Sequence, residues 1–263
     1  KFIGLTVAEY LGKEVFEKFI KPPFDTCMQG NIVSFQEWFD YPTLGRRFVE
    51  VTYFPYRNLL NQVAGVVANT KDITNRKRTA DLLAARLRLS EASVTLGLKD
   101  VLTMALDEAE ALTDSRIGFF HFFDEDQKTI TLQGWSTATS GTCCQAEGFA
   151  LHYNLEAAGV WADCIRQRRA IIHNDYAGLS HRRGMPQGHV PVVRELVVPV
   201  FRSDRIVALL GVGNKTSEYN DKDTELLSNL GDLVWDIVLR KRAEEKARSA
   251  SERSLPWHRS AFI

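Results

Sequence analysis

At 263 residues the chain has room for two domains of ordinary size. Lys plus Arg balance Asp plus Glu at 33 each, so no overall field draws the protein to nucleic acid or an anionic membrane, and no run approaches the roughly 18 apolar residues of a membrane span. Apolar residues at 44% and charged residues at 25% are normal for a globular chain with a core. The four cysteines, Cys27, Cys143, Cys144 and Cys164, form no CxxC and no disulfide framework, which fits a reducing cytoplasm. The start, Lys1-Phe2-Ile3-Gly4, carries neither Met nor a secretory signal, so the chain reads as a piece of a longer cytoplasmic protein.

From Thr6 to Gln29, apolar residues at Tyr10, Leu11, Val15, Phe16 and Phe19 predict short helices, which Pro22 and Pro23 are expected to break. Strand-like runs follow at 32–39, 47–54 and 62–70, the second alternating through Val49, Val51 and Tyr53. Strand gives way to helix at Asp72-Ile73-Thr74-Asn75-Arg76-Lys77. This boundary, with Gly30, Trp38 and Tyr53-Phe54-Pro55 before it, resembles the C-terminal end of a PAS domain. Only three of that family's five strands are visible, so the ligand-facing first half is expected to lie outside this chain.

Residues 79–96 are rich in helix formers, and Leu82, Leu83, Leu87 and Leu89 predict an apolar stripe that meets another helix. After Gly97 a second helix is predicted to Leu112, with Val101, Leu102, Ala105, Leu106 and Ala109 on one face. Strands are predicted at 116–123, 129–135, 170–173, 196–201 and 205–212, with a helix at 156–168 between the second and third. A last helix starts near Asn220 or Asp221 and carries Leu226, Leu230, Leu233, Val234, Ile237 and Val238; Pro256 stops it. This order predicts an α+β unit.

Five runs within it resemble a GAF domain: Leu112 to His121, Gly159-Val160-Trp161-Ala162-Asp163-Cys164, His173-Asn174-Asp175-Tyr176, Gly188 to Glu195, and Gly211-Val212-Gly213-Asn214-Lys215. The likeness is to the GAF subgroup found among PAS repeats in bacterial and archaeal sensor histidine kinases and related signalling proteins. It implies a small-molecule pocket beneath the loop 174–195, with Trp135, Trp161, His173, Asn174, Asp175, His189 and Arg194 as ligand-binding residues. The planar fork of Arg194 would suit an anionic ligand. Some relatives attach or ligate a tetrapyrrole through Cys or His, which marks Cys144 and its neighbour Cys143 for haem or bilin attachment, or for redox chemistry.

Other motifs read blandly. Gly211-x-Gly213-Asn-Lys215 lacks a third glycine and is expected to be a turn, not a phosphate loop. His173, His181 and His189, spaced by eight, match no zinc pattern, so no metal site is expected. There is no phosphoacceptor helix with an ATP-binding domain, no cyclic-dinucleotide synthesis motif and no recognisable catalytic triad.

The expected architecture is therefore α+β. Residues 1–78 form a truncated PAS-like antiparallel sheet, 79–96 a signalling helix, 97–240 a GAF domain, and 241–263 a helix extension with a linker tail. The expected function is non-enzymatic. A ligand in the pocket biases the flanking helices of a homodimer, and these act on an output domain beyond the chain. Two rivals stand beside this: a thiol redox enzyme or sensor using Cys143 or Cys144 with Cys164 as the second thiol, and a ligand-free dimerisation spacer.

Overall fold

Three antiparallel strands follow the N-terminal helices: β1 (Val33–Tyr41), β2 (Gly45–Arg57) and β3 (Val63–Asp72), in the order β1-β2-β3. The computed structural model describes residues 4–140, 152–182 and 190–254. The chain separates into two units, one ending at Asp81 and the other starting at Leu82.

In the first unit, Val49, Val51 and Tyr53 alternate inward from β2 and pack with Ile20, Cys27 and Phe39. Helices α1 (Val7–Leu11), α2 (Lys13–Val15) and α3 (Lys21–Met28) precede the sheet. Thr6 and Glu9 close a capping box at the start of α1. Pro22 and Pro23 do not break a helix as expected. They lie in the first turn of α3, where a missing N–H costs little, and the irregularity is a π-turn at Phe16–Ile20 just before.

The join of β3 to α4 (Thr74–Thr95) explains its Asp-Ile-Thr sequence. Asp72 Oδ1 accepts from the Thr74 amide at 2.9 Å and from its hydroxyl at 2.6 Å. Thr74 Oγ1 in turn accepts from the Phe48 amide at 2.9 Å, so strand end and helix start are tied to β2.

The second unit holds α5 (Leu98–Thr113), β4 (Ile117–Phe123), β5 (Thr129–Trp135), β6 (His152–Asn154), α6 (Asp163–Arg166), β7 (Ile171–His173), β8 (Glu195–Arg202), β9 (Arg205–Gly213) and α7 (Asp221–Ser254). Every pairing in its sheet is antiparallel, in the order β6-β5-β4-β9-β8-β7. Alternation along β4 and β8 gives the sheet two buried faces. Phe120, Phe122, Val198 and Val200 join α5 and α7 in one cluster; Phe119, Phe123 and Val197 join Ile130, Ile165 and Leu209 in the other.

Two expectations are corrected here. The predicted helix at 156–168 is instead two single 3₁₀ turns, Leu155–Ala157 and Val160–Ala162, followed by the four-residue α6. Gly159 is extended between them, and the Arg166 guanidinium donates to the carbonyls of Leu155 (3.0 Å), Ala158 (2.7 Å) and Gly159 (3.0 Å), replacing bonds a continuous helix would make internally. The leucine stripe of α4 is also divided. Leu89 is fully buried in the cluster with α5 and α7, whereas Leu83 and Leu87 are 59% and 60% exposed.

Gly211 of β9 makes room for the Phe119 ring of its neighbour β4. Opposite Phe119, a Cβ there would stand 2.0 Å from the ring, which Trp135 and Trp161 flank. Gly211→Ala is expected to destabilise the second unit by about 2–3 kcal/mol in urea unfolding, and Phe119→Leu in the same chain to restore part of that loss.

Candidate functional site

On the sheet face away from α5 and α7, β4 presents Phe119 and His121. The Trp135 and Trp161 rings stand edge-on to Phe119 at 6.1 and 6.4 Å, and His121 stacks on Trp161 at 4.6 Å with the planes 17° apart. The sequence-predicted pair Trp135 and Trp161 thus shares one aromatic wall through Phe119. His121, not selected from the sequence, is its buried polar member, and burial pushes its imidazole down to about 3, so it is neutral at physiological pH. An alternating strand with one histidine among phenylalanines was the available signal.

Beside the wall lies a second group. The antiparallel register sets His173 of β7 opposite Glu195 of β8, and their side chains meet at 2.8 Å from Nδ1 to Oε1. His173 Nε2 lies 3.8 Å from Asp163 Oδ2, which His181 Nε2 approaches to 2.7 Å. Arg166 donates to the other Asp163 oxygen at 2.7 Å. Glu195 and Asp163 are both buried, so each carboxylate gains a cationic or imidazole partner where water is excluded. The buried Tyr176 hydroxyl is pushed up to about 12 by burial and by the nearby Glu195 carboxylate. Sequence reading selected His173 but neither Asp163 nor Glu195, because their partners come from across the sheet and from a loop.

The remaining predicted residues are placed differently. Asn174 exchanges two hydrogen bonds with the backbone of Tyr219, donating at 3.1 Å and accepting at 2.8 Å. Asp175 Oδ1 accepts from the Gly178 amide at 3.1 Å, an Asx-type turn. Arg194 directs Nη1 at the carbonyls of Lys215 and Thr216, at 2.8 and 2.9 Å. His189, Cys143 and Cys144 lie outside the described residues. Cys164 is fully buried, its thiol donates to the Trp161 carbonyl at 3.6 Å, and burial with the nearby Glu195 carboxylate raises its pKa. It is thus ill suited to supply a thiolate. Among the described residues no group of three or more His, Cys, Asp or Glu is placed to hold a metal ion, and no helix is long and apolar enough to cross a membrane.

An antiparallel sheet with long helices on one face and short turns and loops over a polar and aromatic site on the other defines an α+β domain. The chain belongs to the GAF domain family, whose match spans residues 95–238. It is 36% identical over 191 residues to the methyl sulfide methyltransferase-associated sensor of Methanosarcina acetivorans, an overlap of 69% of this chain but 19% of that protein. Among solved structures, the GAF domain of a Coxiella burnetii phosphoenolpyruvate-protein phosphotransferase matches with a TM-score of 0.53 at 10% identity, covering 64% of this chain and 98% of that one. The free methionine-R-sulfoxide reductase of Neisseria meningitidis matches at 0.50 and 12% identity, covering 64% and 91%. At such identities both likenesses speak for the fold alone.

The depressed His121 fixes a pH dependence. Unfolded, this imidazole takes up a proton near 6.5; folded, only near 3. Between those values the unfolded state binds more protons, so stability falls as pH drops, by up to about 1.4 kcal/mol per pH unit. Urea midpoints from pH 7 to 4 are expected to fall less steeply for His121→Phe than for the parent, and to run parallel above pH 7.

Proposed function

We propose that this chain is the sensory input and relay part of a signalling protein, binding a small molecule on the outer face of its GAF sheet. One observation carries the reading: the aromatic wall of Trp135, Phe119 and Trp161 adjoins the part-buried His173–Glu195 pair on one sheet face, while α5 and α7 pack on the other. Flat apolar walls with a few convergent polar groups are what small-molecule sites use. The proposed site comprises Trp135, Trp161, His173, Asn174, Asp175, His189 and Arg194, together with Glu195 and Asp163. Because Arg194 Nη1 is engaged by two carbonyls, selection of an anion would fall to its other nitrogens.

The similarity to a protein named as a sensor supports the same reading. The chain spans about a fifth of that relative, so the output module is proposed to lie elsewhere in the protein. Within the chain, 1–78 is proposed as the end of a PAS domain, 79–96 as a signalling helix, 97–240 as the GAF domain and 241–263 as its helical exit and linker. A cytoplasmic histidine-kinase or cyclic-dinucleotide context completes the proposal. Native mass spectrometry and the visible spectrum of the purified protein test it. A bound small molecule or chromophore that Trp161→Ala releases is expected; a ligand-free, colourless protein whose melting no metabolite or tetrapyrrole raises would overturn it.

The exposed side of α4, with Leu83 and Leu87, is proposed to pair with a second copy, since each leucine left in water forgoes about 1.5–3 kcal/mol of burial. Leu83→Glu with Leu87→Glu is expected to turn a sedimenting dimer into a monomer and to lower the urea midpoint only to that of the diluted, monomeric parent. Leu89→Ala, in contrast, is expected to cost about 2–4 kcal/mol of stability.

A further inference from the structure

The segment from Asn214 to Asn220 joins the last strand of the sheet to the 34-residue α7. It has no ladder of its own, and side chains from elsewhere hold its backbone. Asn174, the residue after β7, both donates to the Tyr219 carbonyl and accepts from the Tyr219 amide. Arg194, the residue before β8, holds the carbonyls of Lys215 and Thr216 with its Nη1, and its own carbonyl accepts from the Asn214 amide at 2.9 Å. These two residues directly follow His173 and directly precede Glu195, the pair that meets at 2.8 Å within the proposed site.

Beyond the segment the same knot reaches α7. Lys215 Nζ and Asp223 Oδ2 form a buried ion pair at 2.6 Å, and that oxygen also accepts from the Asn220 amide at 3.0 Å. The Tyr219 hydroxyl and the Ser115 hydroxyl are 2.7 Å apart, which adds the end of α5. Because Asp223 stands in the first turn of α7, a shift of the segment cannot leave the helix start in place without breaking a buried ion pair.

We propose that Asn174 and Arg194 form a latch that passes the state of the His173–Glu195 pair to the first turns of α7. The inference rests on the sensory reading above and names its mechanical route. A ligand group that replaces His173 on Glu195, or Glu195 on His173, moves the adjoining backbone. Asn174 and Arg194 move with it, and both pull on 215–219. Its hydrogen bonds, 2.8–3.1 Å long, are directional, so a displacement of either partner weakens them.

Hydrogen exchange read by mass spectrometry on the full chain tests the route without any ligand, so its outcome is separate from whether a small molecule binds. Four proteins are compared: the parent, His173→Ala, Asn174→Ala/Arg194→Ala, and the triple variant. His173→Ala is expected to speed exchange about tenfold over 219–226 as well as at β7, the effect of losing roughly one hydrogen bond from the local opening cost. In the latch-less background 219–226 exchanges fast already, and His173→Ala is expected to add nothing there. If His173→Ala alters 171–175 alone, or if its effect on 219–226 adds fully to that of the latch substitutions, the proposal is overturned. A uniform rise over α5, the strands and α7 would mark general loosening and overturn it as well. Asn174→Asp, which keeps the acceptor for the Tyr219 amide but loses the donor to its carbonyl, is expected to give an intermediate rise over 219–226 and keeps the test available should the double variant fail to fold.

Discussion

The sheet of the second unit is covered on both faces, and most of its other features answer to that constraint. Every residue of β4 from Ile117 to Phe123 is buried, so a polar side chain on it cannot turn to water. His121 meets the constraint by staying neutral and stacking on Trp161. Glu195 meets it through His173, held directly opposite by the antiparallel register. The same crowding makes Gly211 a requirement, since Phe119 occupies the volume a side chain would take. Packing and polar satisfaction are therefore one problem on this sheet.

Where the backbone leaves regular structure, side chains replace the missing ladder. Arg166 gathers three carbonyls of the turns before α6, Arg194 gathers two after β9, and Asn174 serves both backbone groups of Tyr219. Backbone groups that leave the ladder still need partners, and these side chains supply them. They also differ from a ladder in consequence. A ladder spreads its strength over many residues, whereas one arginine concentrates it in a single group that a neighbouring change can reach.

The helices of this unit are joined mostly by apolar contact. Arg88 holds Glu108 of α5 with a two-pronged contact at 2.6 and 2.7 Å, yet Arg88 is half exposed, and such a pair contributes no more than about 1 kcal/mol. Leu89, beside it in sequence and fully buried, contributes more. At the far side of α7, Arg202 spans Asp232 and Asp236 at 2.7 Å each, fixing the β8–β9 hairpin end against that helix. The ion pairs orient elements that the hydrophobic clusters hold.

Local order was written in the sequence. The strand run Ile117–Phe123, the stripe Val101, Leu102, Ala105, Leu106 and Ala109 of α5, and the Asp72-Ile73-Thr74 boundary all record which residues face inward or cap an end, and each is settled by near neighbours. The wall residues Trp135 and Trp161 and the strand-end His173 were legible too, as large aromatics and a polar strand end in a GAF-like sequence. Tertiary structure alone decided the rest. That Leu89 turns inward while Leu87 faces out depends on where α5 and α7 lie; that Glu195 and Asp163 join the histidines depends on the register of β7 with β8 and on the loop that carries His181. The helical spacing of 156–168 gave way because Gly159 and the reach of Arg166 favoured separate turns, and Arg194 points at Lys215 and Thr216 because β9 delivers their carbonyls to it. Periodicity reports a side chain's direction relative to its own backbone; its partner, when that lies tens of residues away, is chosen by packing that no local pattern contains.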